Sequence, residues 1–427
     1  MVITPFFTAL REHTIKRLEE IGHADLLIGI PSYNNDQTIH NVMKMASHGA
    51  IDSFPDMRVL IFVSDGGSTD DTRDEAHAIE LDPYIEKLIQ IYRGIPGKGS
   101  ALRSIFEAAS YLKVKATAVV DADLRSITPD WIKKLVTPVI SGDYDFVAPL
   151  YTRYKYDGTI TNNIAYNMTR MLYGKRIRQP IGGDFCFSTP LAQSYLKENV
   201  WDTDVATFGI DIWMTTLAIT AGYRMCQARL GVKVHGKKDP GSDLGTMFRE
   251  VVITMFSLME HYEDYWKTIK ESTSVDIVGE AHAEEPESFP VDKELLMENF
   301  RIGCNHFSPF WKSILSKDDL KAINQLKKAK PNEFCIDIDL WAHILYDFAA
   351  TFHNWSKNRA KLVNMMTPLY YANVASYINL TEKMSNAEAE KLIEDNAHRF
   401  EDLKSCLIKK WETEGKYPCK HERGMNK

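Results

Sequence analysis

From about Asp25 to Val234, short and continuously apolar runs alternate with longer stretches whose apolar residues recur at helical spacing. DLLIGIP, MRVLIFVSD, LIQIYR, ATAVVDAD and DFVAPL predict strands, and the segments after Asn35, Thr69, Lys98 and Thr128 predict helices. Strands that are apolar throughout are buried on both faces, so this α/β alternation predicts a mostly parallel sheet with helices on either side. Ligands of such sheets bind beyond the carboxyl ends of the strands. IPSYNND, VSDGGSTDD, RGIPGKGSA and DADLRS are then expected around one cleft. From Asp243, DLGTMFREVVITMFSLMEHYEDYWKTI has helical spacing. The acidic, proline-bearing ESTSVDIVGEAHAEEPESFP breaks that pattern and reads as a linker or exposed loop. The expected division is an α/β domain at 1–262, a linker at 263–290 and a helical C-terminal region at 291–427.

The chain has 427 residues and is 44% hydrophobic, enough for a sizeable core. Its formal charge of −7 gives no footprint for nucleic acid or an anionic membrane. Six cysteines without a CxxC pair argue against a zinc site or a disulfide framework and for a reducing compartment. Charges interrupt the apolar residues of MVITPFFTALREHTIKRLEE, unlike a signal peptide. No apolar run nears the roughly 20 residues of a membrane helix. A cytoplasmic protein without membrane insertion is expected.

In AVVDADLRSI, Asp121 and Asp123 would point to one side of a strand end and Ala122 to the other. Such a pair suits a hard divalent cation, which prefers oxygen ligands and binds phosphates. A solvated turn and a phosphatase nucleophile are the competing readings. The latter motif would usually close a first strand, and this one closes about the fourth. In SDGGSTDDT, Gly66 and Gly67 allow a sharp turn, and Asp65 would face the cleft to accept a hydrogen bond from a base N–H. PGKGSALRSIF sets Lys98 between glycines at a helix start, where backbone and ammonium attract phosphate. Gly182 and Gly183 in QPIGGDFCFS suit either a close approach to a ligand or a β-bulge, and Asp184 either a sugar contact or a turn cap. Asp211 begins an apolar helix, as a favourable charge at its positive end or as a carboxylate held for a hydroxyl. GVKVHGKKDPG sets His235 beside Lys237 and Lys238, either a basic turn or a ligand next to phosphate-binding cations.

In this order the segments resemble the GT-A nucleotide-sugar glycosyltransferases over roughly residues 25–260. Within that class PGKGSAL, DAD, DGTIT, QPIGGDF, FGIDIW and LGVKVHGKKDP are similar to the retaining enzymes that make glucosyl-3-phosphoglycerate and glucosylglycerate, the latter above all. The resemblance implies a GT-A fold and transfer of glucose, from GDP-glucose in the favoured reading, to D-glycerate with retention. It implies Pro31, Ser32, Asn35 and Asp65 at base and ribose, Lys98 at the diphosphate, and Asp121 near the ribose. It implies Mg²⁺ or Mn²⁺ on Asp123 and His235. Gly158 and Thr161 match the acceptor loop, with Thr159 inside it and Lys237 beside it, and Asp184, Asp211 and the Ile181 carbonyl would orient the reacting groups.

Two positions depart from the pattern. Asn35 stands where the opening motif commonly has glutamate, and Thr159 where phosphoglycerate-using relatives have arginine. Losing a bidentate phosphate donor favours free glycerate, while 3-phosphoglycerate read by Lys237 and Lys238 is the alternative. The expected partners are a nucleotide-sugar donor and a small carboxylate acceptor, with no nucleic acid. The oligomeric state is open, a homodimer included. A transferase acting on a polyprenyl phosphate would want a membrane element, and none is visible. A sugar-nucleotide sensor without turnover is opposed by the intact DAD and His235.

Overall fold

The computed structural model describes residues 7–234, 236, 244–280 and 284–413. His235 and Lys237, expected at the metal and the acceptor, lie outside the described residues, as does Lys238. The chain forms two compact units, each built from three separate segments. The first takes Met1–Arg153, Ile177–Lys237 and Ser274–Pro286; the second takes Tyr154–Arg176, Lys238–Thr273 and Glu287–Lys427.

The first unit holds an eight-stranded sheet. Its strands are β1 (Leu26–Ser32), β2 (Val59–Asp65), β3 (Ile85–Ile91), β4 (Ala116–Val119), β5 (Phe146–Thr152), β6 (Phe185–Ser188), β7 (Met225–Val232) and β8 (Asp276–Val278). In space they run β8-β7-β5-β6-β4-β1-β2-β3. All pairs are parallel except those of β6, which is antiparallel to β4 and β5. Helices Ile39–Ser53, Thr72–Ala78, Lys98–Leu112 and Pro129–Ile140 follow the first four strands, as the periodicity predicts. The core explains why the strands read as apolar runs: Leu26, Ile28, Ile30, Val59, Ile61 and Val63 are buried on one side against Val42, Met43, Ile132 and Leu135.

The second unit is helical. Its principal helices are Leu244–His261, Lys293–Ile314, Ile338–Asn354, Arg359–Thr381 and Asn386–Asp402. The stretch expected as a linker, 263–290, instead contains the Glu263–Thr268 helix and β8, whose Asp276–Val278 pairs with Cys226–Ala228. This edge strand has two exposed residues, Asp276 and Ile277, and carries one acid of the stretch, Asp276. The observed units are thus interleaved along the chain where consecutive ones were expected. No helix among the described residues is long and apolar enough to cross a membrane.

Candidate active site

The parallel register sets the carboxyl ends of β1, β2 and β4 side by side, and their loops bond to one another. Ser32 Oγ donates to Asp65 at 2.9 Å, the Asn34 N–H to Ser68 Oγ at 2.9 Å, and Thr38 Oγ1 to the Ala122 carbonyl at 2.7 Å. Lys98 of RGIPGKGSA reaches Asp121 of the DAD turn at 2.9 Å, so all four motifs expected around one cleft are linked. Asp65 plays a different part from the one expected. It is fully buried and accepts from Ser32 Oγ, Ser68 Oγ and the N–H groups of Gly67 and Ser68. Four donors fill a carboxylate's lone pairs, so Asp65 shapes the loop and has none left for a base. Pro31 and Asn35 are half-buried in the same loop region, and Asn35 Oδ1 accepts from the Tyr33 N–H.

β4 stops at Val119, so Asp121 and Asp123 sit in the turn beyond it, and alternation persists there. Ala122 and Leu124 are buried in the core while both aspartates are half-buried on the other side. Asp121 is clamped between two lysines, with Lys98 Nζ at 2.9 Å from one oxygen and Lys233 Nζ at 3.0 Å from the other. Its backbone N–H donates to Asp184 Oδ1 at 2.7 Å. Asp123 has no hydrogen-bond partner among the described residues.

Lys233 was not visible as a site residue in the sequence, where a single lysine after an apolar strand reads as surface. It is buried and spends its three protons on Asp121, on Asp184 at 2.7 Å and on the Gly182 carbonyl at 2.9 Å. Tyr151 at the end of β5 completes the group by donating to Asp184. Lys98 reaches Asp211 at 3.2 Å as well as Asp121. Burial alone would depress both ammoniums, but Asp121 with Asp211 holds Lys98 above its ordinary value, and Asp184 with Asp121 does so for Lys233. Burial would raise Asp121, yet the two lysines hold it well below the usual carboxylate range. Asp184 and Asp211 end up raised by burial, with Asp121 adding to it and the lysines opposing.

The glycines around this cluster serve packing. A Cβ on Gly183, at φ +94°, would fall 2.1 Å from Asp121 Oδ2, and one on Gly182 2.2 Å from the Pro149 ring. The close approach expected at this pair is thus to a protein carboxylate and its lysine. Ile181 is half-buried just before them. At the Lys98 helix the glycines admit backbone: a Cβ on Gly99 would lie 1.8 Å from the Val205 carbonyl, and the Gly99 N–H donates to the Thr207 carbonyl. That N–H is therefore not one of the phosphate donors expected of this turn.

Three of the expected acceptor residues, Gly158, Thr159 and Thr161, belong to the second unit. Gly158 has φ +67°, and Thr161 is buried. Thr159 is 1% exposed, with its hydroxyl 2.7 Å from that of Tyr370. It is a core residue, so an arginine there would have to bury its guanidinium rather than present it.

Residues 27–202 match the family model described as Glycosyl transferase family 2. Together with the mostly parallel sheet and the DAD turn, that match shows a GT-A fold that is similar to glycosyltransferase family 2 over those residues. Among solved structures, glucosyl-3-phosphoglycerate synthase of Mycobacterium tuberculosis with Mn²⁺, UDP and glucosyl-3-phosphoglycerate is similar to 58% of this chain and 85% of its own, at 24% identity and a TM-score of 0.44. The same enzyme with Mg²⁺ and UDP covers 57% and 82%, at 23% identity and a TM-score of 0.43. No curated protein sequence matches the chain. In the sheet unit, Lys98, Asp121, Asp184, Asp211 and Lys233 form one connected charged network, with Asp123 beside it.

Proposed function

We propose that the chain is a hexosyltransferase that moves glucose from a nucleoside-diphosphate sugar to D-glycerate with retention, GDP-glucose being the favoured donor. The observation that carries this reading is the charge balance at the strand ends. Among the described residues Asp121, Asp184 and Asp211 pair with two lysines, Lys98 and Lys233, and Asp123 lies beside them without an ion-pair partner, so the aspartates outnumber the lysines and a further positive charge suits the site. A bound Mg²⁺ or Mn²⁺ supplies that charge and, when present, takes up the charge that grows on the departing diphosphate. The donor set fits such a cation: hard carboxylate oxygens, one of them on a residue without a hydrogen-bond partner among those described. Asp123 is the first ligand, with His235 the second. The Arg125 N–H donates to the Val234 carbonyl at 2.8 Å, which brings the chain just before position 235 to the DAD turn. Among the described residues no group of three or more candidate ligands could hold a metal.

This chain's own residues do the rest. Lys98 offers a fixed positive charge toward the leaving diphosphate. Ser32, Pro31 and Asn35 border the base and ribose. Asp211, with raised proton affinity, orients hydroxyls of sugar and acceptor, Asp184, fully buried on Tyr151, Lys233 and the Asp121 N–H, holds Asp121 in place, and the Ile181 carbonyl helps to direct the attacking hydroxyl. Thr159 stands where phosphoglycerate-using relatives have arginine, and the lack of that phosphate donor favours free glycerate. GDP- and UDP-glucose should be tested against D-glycerate and 3-phosphoglycerate, with and without EDTA, with products identified by mass spectrometry. Metal-dependent glucosylglycerate is expected. Full activity in EDTA would remove the metal, and a much higher kcat/KM on 3-phosphoglycerate would transfer acceptor reading to Lys237 and Lys238.

A further inference from the structure

Within the helical unit, residues 154–176 are bonded at almost every turn to helices that follow them by some two hundred positions. Lys155 Nζ donates to the carbonyls of Thr381, Glu382 and Met384, at 2.7, 3.2 and 2.7 Å. A cation there is favourable beside the carbonyls at and just past a helix end. Thr159 Oγ1 meets Tyr370 OH at 2.7 Å, both buried, and the Tyr370 ring stacks on Phe248 at 4.4 Å. Asn163 is held three ways. Its amide donates to the Thr159 carbonyl at 2.8 Å, its Oδ1 accepts from Asn373 at 3.0 Å, and its backbone carbonyl accepts from Trp341 Nε1 at 2.8 Å.

The segment so held is not an ordinary helix. Thr161–Ala165 is a π-helical turn, closed by the Tyr166 N–H on the Thr161 carbonyl, and Gly158 before it has a left-handed backbone. Wider turns of this kind are rare and occur often at functional sites. An irregular turn persists only where its surroundings over-determine it. Here those surroundings are the side chains of Trp341, Tyr370 and Asn373, on two neighbouring helices.

We infer that the helical unit is the scaffold of the acceptor segment, with Tyr370, Asn373 and Trp341 as positioning residues that set acceptor affinity through Thr159 and Asn163. The inference rests on the reading of Gly158–Thr161 as acceptor-binding. It assigns the C-terminal helices a task in the reaction without any contact to substrate.

The test is Tyr370→Phe, which keeps the ring on Phe248 and removes one hydroxyl. Acceptor KM should rise about three- to tenfold, the worth of one buried hydrogen bond, with donor KM unchanged. Amide exchange across 158–166 should accelerate. Adding Thr159→Val replaces the second hydroxyl by a methyl group and leaves no orphaned polar atom, so the double variant should recover most of the acceptor KM. A lowered melting temperature with both KM values and the exchange rates unchanged would reduce Tyr370 to a packing residue and overturn the inference. If the wild-type chain glucosylates no glycerate-type acceptor, the reading of the acceptor segment fails by itself. The exchange arm still decides the scaffold: unchanged exchange in Tyr370→Phe overturns it, and local acceleration supports it.

Discussion

Each unit buries one cation between two carboxylates, and the two arrangements differ in what surrounds the acids. In the helical unit Arg170, with no exposed side-chain surface, forks onto Glu394 and Glu401, which are 41% and 19% exposed. Tyr166 and Arg170 hold Glu394 below its ordinary range despite its partial burial. In the sheet unit Lys233 joins Asp121 to Asp184, and Asp184 has no exposed surface at all. Its proton affinity is raised by burial even with the lysine beside it. The first arrangement is a finished clasp between helices with its acids still in reach of water. The second holds three aspartates on two lysines, with Asp184 shut off from water and Asp121 still 23% exposed, and shifted proton affinities of this kind mark functional sites.

The sharpest way to break the contrast is Asp123→Ala. A half-exposed carboxylate without a partner contributes little to folding, so the melting temperature should stay within a degree or two, while transfer falls at least about 100-fold, since metal stabilisation of a leaving group is worth several kcal/mol. Activity assay and thermal melt on the same preparation decide it, and retained activity would end the cation argument.

Lys233→Met and Arg170→Met sharpen the comparison. Removing Lys233 strands a fully buried carboxylate, for which a cost of about 3–5 kcal/mol is expected. Removing Arg170 leaves acids that water can reach, so the loss in denaturant unfolding should be clearly smaller. Lys233→Met should also shift the metal concentration for half-maximal activity, and Arg170→Met should not. Gly99→Ala comes next. A methyl group directed at the Val205 carbonyl forces backbone apart and should cost about 1–3 kcal/mol by the same measurement.

The smallest expected effect is a pH slope. Burial pushes Asp347 up to about 6 against the opposing pull of Lys410. The folded chain therefore binds a proton that the unfolded chain releases near its ordinary value of about 4. Stability from this group is full below that value and is lost as pH rises through 6. Denaturant unfolding at intervals from pH 4 to 7 should show this decline, and Asp347→Asn should flatten it.

The parallel strands and the DAD turn were legible because both depend on local pattern: apolar continuity, and acids one residue apart past a strand end. β6 and β8 were not. FCFS is four residues long and antiparallel, and DIV is three residues inside an acidic stretch. Strands so short carry no period to read. Lys233 escaped for another reason. Its neighbours Asp121 and Asp184 lie 112 and 49 positions away, and only the sheet brings them together. Asp65 and Thr159 were picked out as residues of a motif, but the sequence does not tell whether a polar group turns toward a ligand or toward its own protein. Asp65 turns to Ser68 and Ser32, and Thr159 to Tyr370.

The interleaving of the two units has a consequence during synthesis. Arg170 leaves the ribosome 224 residues ahead of Glu394. At about 5–20 residues per second that is a wait of roughly 10–45 seconds before its first carboxylate exists. Thr159 waits almost as long for Tyr370, at a separation of 211 residues. Contacts this distant in sequence also make for slow folding. Through that interval a stretch rich in Tyr, Asn and Met has no partner of its own, and nascent-chain capture by a general chaperone would act there, in the middle of the polypeptide.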